Sequence, residues 1–394
     1  MVQAKREDQV LSDELLKRCL ERAPGYDREN RFFTEDFQEL RDAGYLAIGV
    51  PRELGGPGMS LAAISREQRR LAYHAPATAL AINMHLYWVG VAADLWRSGD
   101  KSLEWMLKGA LNGEVFAAGH AESGNDIPLL LSTSKAERVD GGYRFTGHKS
   151  FGSLSPVWTF LGMHGMDTSD PAAPKIVHAF MPRDTKGYRI EKVWDVLGMR
   201  PTASEDTILE GAFVPDKYIA RILPAGAAGL DQFMLSAFAW ALGGFAAVYY
   251  GMAKRAIDLT VENVKKKKSI GLSRSMAYHA EIQHSVAEMV IEFESLGPQL
   301  DRLVDEWSAG VDHGQAWVIK IVGTKYRVVE GAWRIIDTAL DLAGGFGIFA
   351  RGPFERLFRD ARLGRIHPAN SALTHELVAK LTLGINPDET PRWG

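Results

Sequence analysis

A stretch of 18 residues without a charged side chain, residues 233–250, places the strongest constraint on how this chain can fold. It reads FMLSAFAWALGGFAAVYY, close to the length of roughly 18 residues that a membrane-spanning helix needs. The stretch is rich in Ala and Gly, and it runs directly into the amphipathic segment GMAKRAIDLTVENVKKKK. A helix that is surrounded by other helices is also apolar on every side. We therefore predict a buried helix and no association with a membrane.

The bulk composition is that of a soluble globular protein. The chain has 394 residues, of which 46% are hydrophobic and 24% charged, and its formal net charge is −3. A balance of this kind does not indicate a nucleic-acid-binding protein. The one cysteine, Cys19, excludes an internal disulfide and a cysteine-based metal cluster, and it fits a reducing compartment. The charged N-terminus does not resemble a signal peptide, so we expect a cytoplasmic protein.

The spacing of apolar residues changes twice and divides the chain into three parts. Residues 1–112 carry apolar side chains at helical spacing. Residues 113–224 read as short strands separated by turns, with a tight turn at Asp140-Gly141-Gly142. Helical spacing returns in residues 225–394. We predict a helical N-terminal domain, a middle antiparallel β domain (a barrel or sandwich) and a helical C-terminal domain.

The C-terminal part predicts four long helices in succession. Their expected ranges are 230–268, 275–309, 313–343 and 370–384. Pro298 should bend or end the second of them. Long consecutive helices favour a bundle. The predicted fold class is therefore α+β, with a four-helix bundle after the β domain.

Four segments, in order, resemble motifs of the acyl-CoA dehydrogenase superfamily of flavoproteins. They read FAAGHAESGNDIP, GHKSFGS, LGMRPTASEDTILEGAFVP and DLAGGFGIFARGPFERLFRDAR, and they lie within residues 113–366. The three-part layout is also similar to that family. The resemblance implies an FAD-dependent oxidoreductase that forms a homodimer or homotetramer. Its partners would be a small-molecule substrate and an electron acceptor or oxygen.

The resemblance also implies positions around the flavin ring. Phe151 falls where the family places an aromatic against the isoalloxazine, and Ser153 falls where it has a hydroxyl near N5. Asn125 matches a serine of the loop that covers the flavin. An adjacent contact falls to Gly119, His120 or Ala121. The residues alone also allow Phe151 as an inward core residue and Ser153 as a turn residue.

A second implied region would hold the diphosphate of FAD. The family's turn after a helix corresponds to Gly344, Gly345 and Gly347, and it receives the adenosine diphosphate end of FAD bound mainly to a neighbouring subunit. Lys267 stands where the family often has an arginine that meets the pyrophosphate. Lysine pairs with phosphate as a point charge. Oligomerisation would then be part of cofactor binding.

The chain departs from the family where the catalytic base should lie. Pro368 occupies the position of the usual glutamate after the Arg-Asp-Ala segment. The second known base position, early in the first bundle helix, holds Phe233. Its neighbour Met234 stands where many relatives carry an arginine. Both familiar base positions are therefore apolar.

Three functions stay open on these residues. A displaced base, His367 or Asp231, would allow oxidation of an acyl thioester at CH–CH with the flavin as hydride acceptor. A dry apolar pocket would instead suit a flavin-dependent monooxygenase that uses a C4a-peroxyflavin. The third reading is a non-catalytic partner subunit that completes a FAD site. The predicted substrate pocket comprises Trp88, Phe116, Phe233, Met234, Trp240 and Pro368.

Overall fold

The structure, a computed structural model, describes residues 9–126, 129–226, 230–271 and 273–389. Helices come first in the chain, where they form the N-terminal part. These are α1 (Asp13–Arg28), α2 (Thr34–Asp42), α3 (Leu61–His74), α4 (Pro76–Arg97) and α5 (Glu104–Leu111). Helix α1 begins at the N-cap Ser12, whose side chain accepts a hydrogen bond from the Leu15 amide. Cys19 is buried on the inner face of this helix.

A mixed sheet of eight strands follows. Its strands are β1 (Phe116–Gly119), β2 (Lys135–Val139), β3 (Gly142–Gly152), β4 (Phe160–Asp167), β5 (Lys175–Pro182), β6 (Tyr188–Glu191), β7 (Glu205–Pro215) and β8 (Ile219–Pro224). The spatial order is β6-β7-β3-β2-β4-β5-β8, with β1 beside β4. Pairing is antiparallel except that β4 runs parallel to β1 and β2. The predicted turn at 140–141 joins β2 to β3, where Gly141 has φ +74°.

The C-terminal part returns to helices. They are α6 (Gln232–Lys266), α7 (Ala280–Ser308), α8 (Ala316–Ala343), α9 (Pro353–Gly364) and α10 (Ser371–Leu383). Four of these correspond to the helices predicted from the spacing of apolar residues. The α+β class with a β domain between two helical parts is confirmed. The two boundaries between the predicted domains stay predictions, although the secondary structure changes type close to each of them.

Four expectations need correction. The sheet is mixed and not wholly antiparallel, because β4 pairs in parallel with β1 and β2. Of the two outcomes predicted for Pro298, the end of the helix is not observed, because Pro298 lies inside α7. Helix α9 was not among the four predicted helices, although it carries the Arg-Asp-Ala segment. Strand β8 was also missed. Pro353 at the start of α9 fits the first turn of a helix, where its missing N–H leaves no donor unpaired.

Helix α6 forms the centre of the helical part. It packs between α3, α4, α7 and α8. It is long and apolar enough to cross a membrane, but 72% of its most apolar 18-residue window is buried inside the protein. Contacts with other helices therefore account for the uncharged stretch, as the buried-helix prediction requires.

Glycines let α6 approach its neighbours closely. The Trp240 indole lies directly on Gly90 of α4, where an added Cβ would come within 2.2 Å of the ring. The Trp240 Nε1 donates a hydrogen bond to Asp94 at 2.7 Å, which fixes the indole over that helix. At Gly244, an added Cβ would come within 1.9 Å of the Asn83 Oδ1. Small residues at these positions set the distance between the two helices.

Substitution of Gly90 by alanine tests this close approach. Since neither the backbone nor the pinned indole can move freely, Gly90→Ala should lower the free energy of unfolding by roughly 1–3 kcal/mol, the usual cost of overpacking. Gly243→Ala is the matched control, because its Cβ would meet only Leu61 and Val304 at 3.8 Å. It should be neutral or stabilising by about 0.5–1 kcal/mol through helix propensity. Urea unfolding measures both; equal effects would contradict the close contact.

Candidate functional site

The end of strand β3 presents an aromatic ring to solvent. Phe151 has φ +60° and its side chain is 59% exposed, with only the edge of Trp194 nearby at a centroid distance of 6.0 Å. An inward core position for Phe151 is therefore wrong. Ser153, two residues further on, is buried and shares a hydrogen bond of 2.7 Å with the Ser204 hydroxyl. The strand thus offers an open aromatic platform beside a pair of hydroxyl groups.

A buried carboxylate organises the loop that passes this platform. Glu122 accepts hydrogen bonds from the Ser132 hydroxyl at 2.7 Å and from the Thr133 amide at 2.9 Å. Asn125 donates its side-chain N–H to Glu122 at 3.0 Å and to the Leu131 carbonyl at 2.6 Å. Asn125 therefore closes the loop on itself. The loop adjoins β3 through an antiparallel bridge from Ala121 to Ser150, next to Phe151.

Lys149 is the charged partner of Glu122 below the loop. Both side chains are buried, and they form a salt bridge of 2.5 Å. Burial would raise the pKa of Glu122, but Lys149 and the hydroxyl donors lower it to about 2. Burial also lowers the pKa of Lys149, to about 8, although Glu122 opposes the shift. The pair therefore remains charged at neutral pH and contributes little net charge to its surroundings.

Three buried histidines lie beside this pair. His164 on β4 and His178 on β5 are direct cross-strand partners, with ring centroids 5.8 Å apart. His120, after β1, has its centroid 5.1 Å from that of His164. His164 is fully engaged, because its Nδ1 faces the Lys149 ammonium at 3.3 Å and its Nε2 faces the Leu131 carbonyl at 2.8 Å. We refer to His120, His164 and His178 as the histidine cluster.

The two helices that cover the sheet close the histidine cluster with aromatic rings. Trp88 of α4 has its centroid 5.4 Å from His120 and 5.9 Å from Phe233 of α6. The Phe233 ring also contacts His178 edge-on at 5.3 Å. Phe233 and its neighbour Met234 are fully buried. The structure therefore brings two predicted pocket residues, Trp88 and Phe233, against the histidine cluster.

Burial keeps these imidazoles neutral. It lowers the pKa of His178 to about 3, helped by the charge of Lys149. Burial and the neighbouring His178 likewise place the pKa of His120 well below its usual value. Desolvation disfavours the charged form of a base. A neutral imidazole offers one donor and one acceptor.

The glycine turn and Lys267, which the resemblance assigns to the diphosphate of FAD, meet within the chain. Residues Gly344–Ile348 form a short 3-10 turn, and Gly344 has φ +67°. The Lys267 Nζ donates to the Ala343 carbonyl at 3.2 Å and lies 3.0 Å from where a Cβ on Gly344 would stand. Gly345 has open space around it. The turn carries exposed apolar side chains, of which Phe346 is 74% exposed.

His367 does not face the histidine cluster. Its half-buried ring packs on Phe245 and Tyr249 of α6, with centroids 4.9 and 5.9 Å away. Since α6 rises about 1.5 Å per residue, Phe245 lies roughly 18 Å along the helix from Phe233. Burial and the Lys325 ammonium lower the pKa of His367 to about 3. His367 was predicted as a displaced base because it is next to Pro368, and its low pKa makes the imidazole a weak proton acceptor at neutral pH.

Lys325 holds the segment that carries His367. The buried Lys325 Nζ on α8 donates to the carbonyls of Gly364, His367 and Ala369 at 3.1, 2.7 and 3.0 Å. Three acceptors match the three N–H donors of an ammonium. The segment between α9 and α10 is therefore fixed to α8 by its backbone carbonyls. Pro368, at the vacated base position, is exposed on this segment.

Asp231 has a structural role that accounts for its place in the chain. It is the N-cap of α6, and its Oδ1 accepts a hydrogen bond of 2.9 Å from the Met234 amide. Its Oδ2 lies 3.7 Å from the Arg221 guanidinium. Both oxygens are thus engaged, which disagrees with the prediction of Asp231 as a displaced base.

Two other predicted pocket residues belong to the core. Phe116 is fully buried among aromatic rings that include Trp105, Phe160 and Phe180. Trp240 is fixed to α4 through Asp94, as described above. Phe116 and Trp240 therefore pack as large aromatic residues of the core.

Sequence reasoning missed His164, His178, Lys149, Glu122 and Lys325. A signal existed for the two histidines. In FLGMHGM and KIVHAFMP each histidine occupies an alternate, inward position of a strand that is otherwise apolar. Lys325 gave no comparable signal, because its three acceptors come from a distant segment.

The arrangement fits a flavin dinucleotide. Phe151 offers a free ring face on which a flat aromatic ring can pack. Gly344 forms a cradle that a side chain would fill, and the Lys267 ammonium beside it can pair with a phosphate. Phe151 and Lys267 therefore have the chemistry that such a ligand needs. Ser153 is buried and bonds to Ser204, and the Asn125 amide is held within its own loop.

Comparisons with known proteins agree with this geometry. The family model for the acyl-CoA dehydrogenase N-terminal domain matches residues 9–103, and the model for the C-terminal domain matches residues 243–372. The putative acyl-CoA dehydrogenase YdbM of Bacillus subtilis is 27% identical over 361 residues, which cover 90% of this chain and 91% of YdbM. The amino sugar nitrososynthase DnmZ of Streptomyces peucetius is 26% identical and covers 91% of this chain and 88% of its own.

Solved structures show the same fold. KijD3 in complex with FMN and a dTDP-linked amino keto sugar superposes with a TM-score of 0.84 at 24% identity, covering 96% of this chain and 93% of KijD3. Butyryl-CoA dehydrogenase from Megasphaera elsdenii gives a TM-score of 0.81 at 16% identity, covering 95% of this chain and 99% of that protein. The fold is therefore common to a protein that binds FMN and a sugar nucleotide and to a butyryl-CoA dehydrogenase.

The pH dependence of stability tests whether the buried Glu122 carboxylate stabilises the fold. Because the pKa of Glu122 falls from 4.5 to about 2 on folding, its contribution is complete above pH 4.5 and is lost as the pH falls toward 2. The linkage corresponds to about 2 kcal/mol lost between pH 5.5 and pH 3. Glu122→Gln should abolish this part of the pH dependence in urea unfolding. Glu137→Gln, at an exposed position of β2, is the control and should keep the wild-type pH dependence. If the free energy of unfolding of Glu122→Gln depended on pH as in the wild type, the stabilising role of the Glu122 carboxylate would be contradicted.

Proposed function

We propose that this chain, which belongs to the acyl-CoA dehydrogenase superfamily, is a flavin-dependent monooxygenase that acts on a small nucleophilic substrate. We further propose FAD as its flavin, a cytoplasmic location, and a homo-oligomer in which the glycine turn contacts the cofactor of a neighbouring subunit. The single observation that carries the proposal is the wall at the start of α6. There Phe233, at the second of the family's two base positions, is fully buried against Trp88 and His178 and offers no carboxylate.

The bonding of Asp231 and the pKa of His367, the two displaced-base candidates, support oxygenation over dehydrogenation. Removal of an α-proton requires a base within hydrogen-bond reach of the substrate. Asp231 is occupied as a helix cap. Burial and the Lys325 ammonium lower the pKa of His367 to about 3, which is too low for a base near neutral pH. The similarity to DnmZ, whose name indicates an amino sugar substrate, favours an amine as the nucleophile.

The residues of this chain would hold the flavin and keep water away. Phe151 would stack on the ring, Ser153 would provide a hydroxyl near it, and Lys267 would pair with the diphosphate. A reduced flavin supplies the two electrons needed to activate dioxygen. Trp88 and Phe233 exclude water from the substrate side, and exclusion of water prevents wasteful side reactions. In the overall reaction one oxygen atom enters the substrate and the other leaves as water, with two electrons and two protons consumed.

Loss of the aromatic platform should weaken flavin binding. Phe151→Ala removes the exposed ring that would stack on the flavin, so the Kd for FAD should rise about tenfold, corresponding to about 1.4 kcal/mol. Flavin fluorescence titration of the apoprotein gives the value. Phe213→Ala, which removes a half-buried aromatic of the same sheet, is the control and should leave the Kd unchanged. An unaltered Kd for Phe151→Ala would exclude this platform.

Isotope labelling tests the reaction itself. The flavin-loaded protein is reduced without oxygen, mixed with an amine panel that includes amino sugars, and exposed to ¹⁸O₂. Mass spectrometry should detect one ¹⁸O atom in a product. In parallel, acyl-CoA thioesters are added to the oxidised protein under anaerobic conditions, and the flavin absorbance should not bleach. Bleaching by a thioester would favour the dehydrogenase function, and poor flavin retention that a second chain restores would favour a partner subunit.

A further inference from the structure

The histidine cluster leaves several buried polar atoms without a hydrogen bond. In the described part of the chain, both ring nitrogens of His120, both of His178 and the Nε1 of Trp88 are buried and unpaired. The backbone of Leu129 approaches His178 without forming a bond of normal geometry. Buried polar atoms are nearly always satisfied in native proteins, by protein, water or ligand. Five unsatisfied nitrogens in one place therefore indicate a site for a polar group.

Within the cluster and its aromatic cover, only the nitrogens of two imidazoles and one indole lack hydrogen bonds among the described residues. His164 is satisfied by Lys149 and the Leu131 carbonyl, although it lies between the other two histidines. His85, a buried histidine outside the cluster, is also satisfied, because its Nε2 faces the Leu46 carbonyl at 2.8 Å and its Nδ1 accepts from the Phe116 amide at 3.0 Å. Complete bonding is therefore the rule for the nearby histidines, and His120 and His178 depart from it.

The location of His120 connects the cluster to the cofactor region. Its chain neighbour Ala121 bridges to Ser150, and Ser150 precedes the Phe151 platform. On its other side, His120 contacts Trp88, which stacks on Phe233. His120 retains 8% exposure, whereas His178 has 1%. Of the two unpaired imidazoles, His120 is therefore the more accessible.

The charges around the cluster select the protonation state of that group. Lys149 on β3 and Arg221 on β8 are the cations that act on it. Glu122 is held by Lys149, and Asp100 and Asp231 are held by Arg221. The anions are thus committed to these cations, and the low pKa values of the imidazoles show that an added positive charge is disfavoured. An ammonium group would meet the same opposition, whereas an uncharged amine can donate N–H to one imidazole and accept from another.

We propose that His120 and His178, with the Trp88 indole, bind the amino group of the substrate in its uncharged form. This inference rests on the proposed function, because the uncharged amine is the nucleophilic form that an oxygenation needs. It names the substrate class as primary amines with an apolar or sugar-like body that can reach between the platform and α4. His120 contacts the amine directly, and the desolvated cluster keeps it unprotonated.

Ligand-observed NMR tests the inference without any turnover. Saturation-transfer titrations of the flavin-loaded protein use hexylamine, hexan-1-ol and hexanoate as probes between pH 7 and pH 9. An alkylamine has a pKa near that of lysine, about 10.4, so its uncharged fraction rises about tenfold per pH unit. Hexylamine binding should therefore tighten about 100-fold over this range. Hexan-1-ol should bind with little pH dependence, and hexanoate should not compete.

Variants identify the contact. His120→Asn should weaken the binding of hexylamine and hexan-1-ol about tenfold, the usual effect of a lost buried hydrogen bond. His148→Asn is the matched control on β3, because its side chain is 52% exposed and bonds to Asp206; it should change neither affinity. The pH profile of the wild-type protein stands even if His120→Asn does not fold.

Several results would overturn the inference. These are a preference for hexanoate, hexylamine binding that does not tighten with pH, no binding of hexylamine or hexan-1-ol, or unchanged affinities in folded His120→Asn. The outcome is separable from that of the proposed function, because binding requires neither oxygen nor reduced flavin. Incorporation of ¹⁸O without hexylamine binding would contradict the amine site but not the oxygenase function. pH-dependent amine binding without ¹⁸O incorporation would contradict the oxygenase function but not the amine site.

Discussion

The close packing of α6 against α4 determines where every other element of the site can lie. Gly90 and Gly244 allow an indole and an amide side chain to fill the space that Cβ atoms would occupy. Asp94 then fixes Trp240 and Trp307 through hydrogen bonds of 2.7 and 3.0 Å to one carboxylate oxygen. The two helices therefore act as one rigid wall. Trp88 of α4 and Phe233 of α6 lie on this wall and close the histidine cluster from the helical side.

Electrostatics at this wall support the proposed oxygenation. The charged groups near the cluster are paired with one another, as in Glu122 with Lys149, and the histidines that remain are held neutral by burial. A general base must be close to its proton and have a pKa near the working pH. An imidazole with a pKa of about 3 is a poor proton acceptor, but it is a good hydrogen-bonding partner. The site is therefore better suited to orienting an uncharged nucleophile than to removing a proton from carbon.

The sequence was sufficient for the fold because the strong signals were local. The short, mostly apolar run KIVHAFMP predicts β5 with its observed bounds, and the uncharged stretch predicts the central helix α6. The contact of Lys267 with Gly344 was not predicted, although the resemblance assigns both residues to the diphosphate of FAD. Helix α9 was missed because its glycine- and proline-rich approach obscured a short amphipathic pattern.

Long-range contacts were beyond sequence reasoning, and these decide the site. His367 follows the Arg-Asp-Ala segment in sequence, but Lys325, from α8, holds its backbone and its ring packs on Phe245. Asp231 resembled a base by its spacing from Phe233, yet a helix start needs a cap at that position. The histidine cluster joins three separate segments, and only the strand register places His164 opposite His178.

A crystal structure of the flavin-bound oligomer with an amine ligand measures the central claim most directly. The account predicts that the isoalloxazine stacks on Phe151, that the substrate side is bounded by Trp88 and Phe233, and that the amine nitrogen lies within hydrogen-bond distance of the His120 ring. A carboxylate oxygen about 3 Å from a ligand carbon that lies over the isoalloxazine, where it could remove a proton, would contradict the account. So would a flavin ring bound away from Phe151.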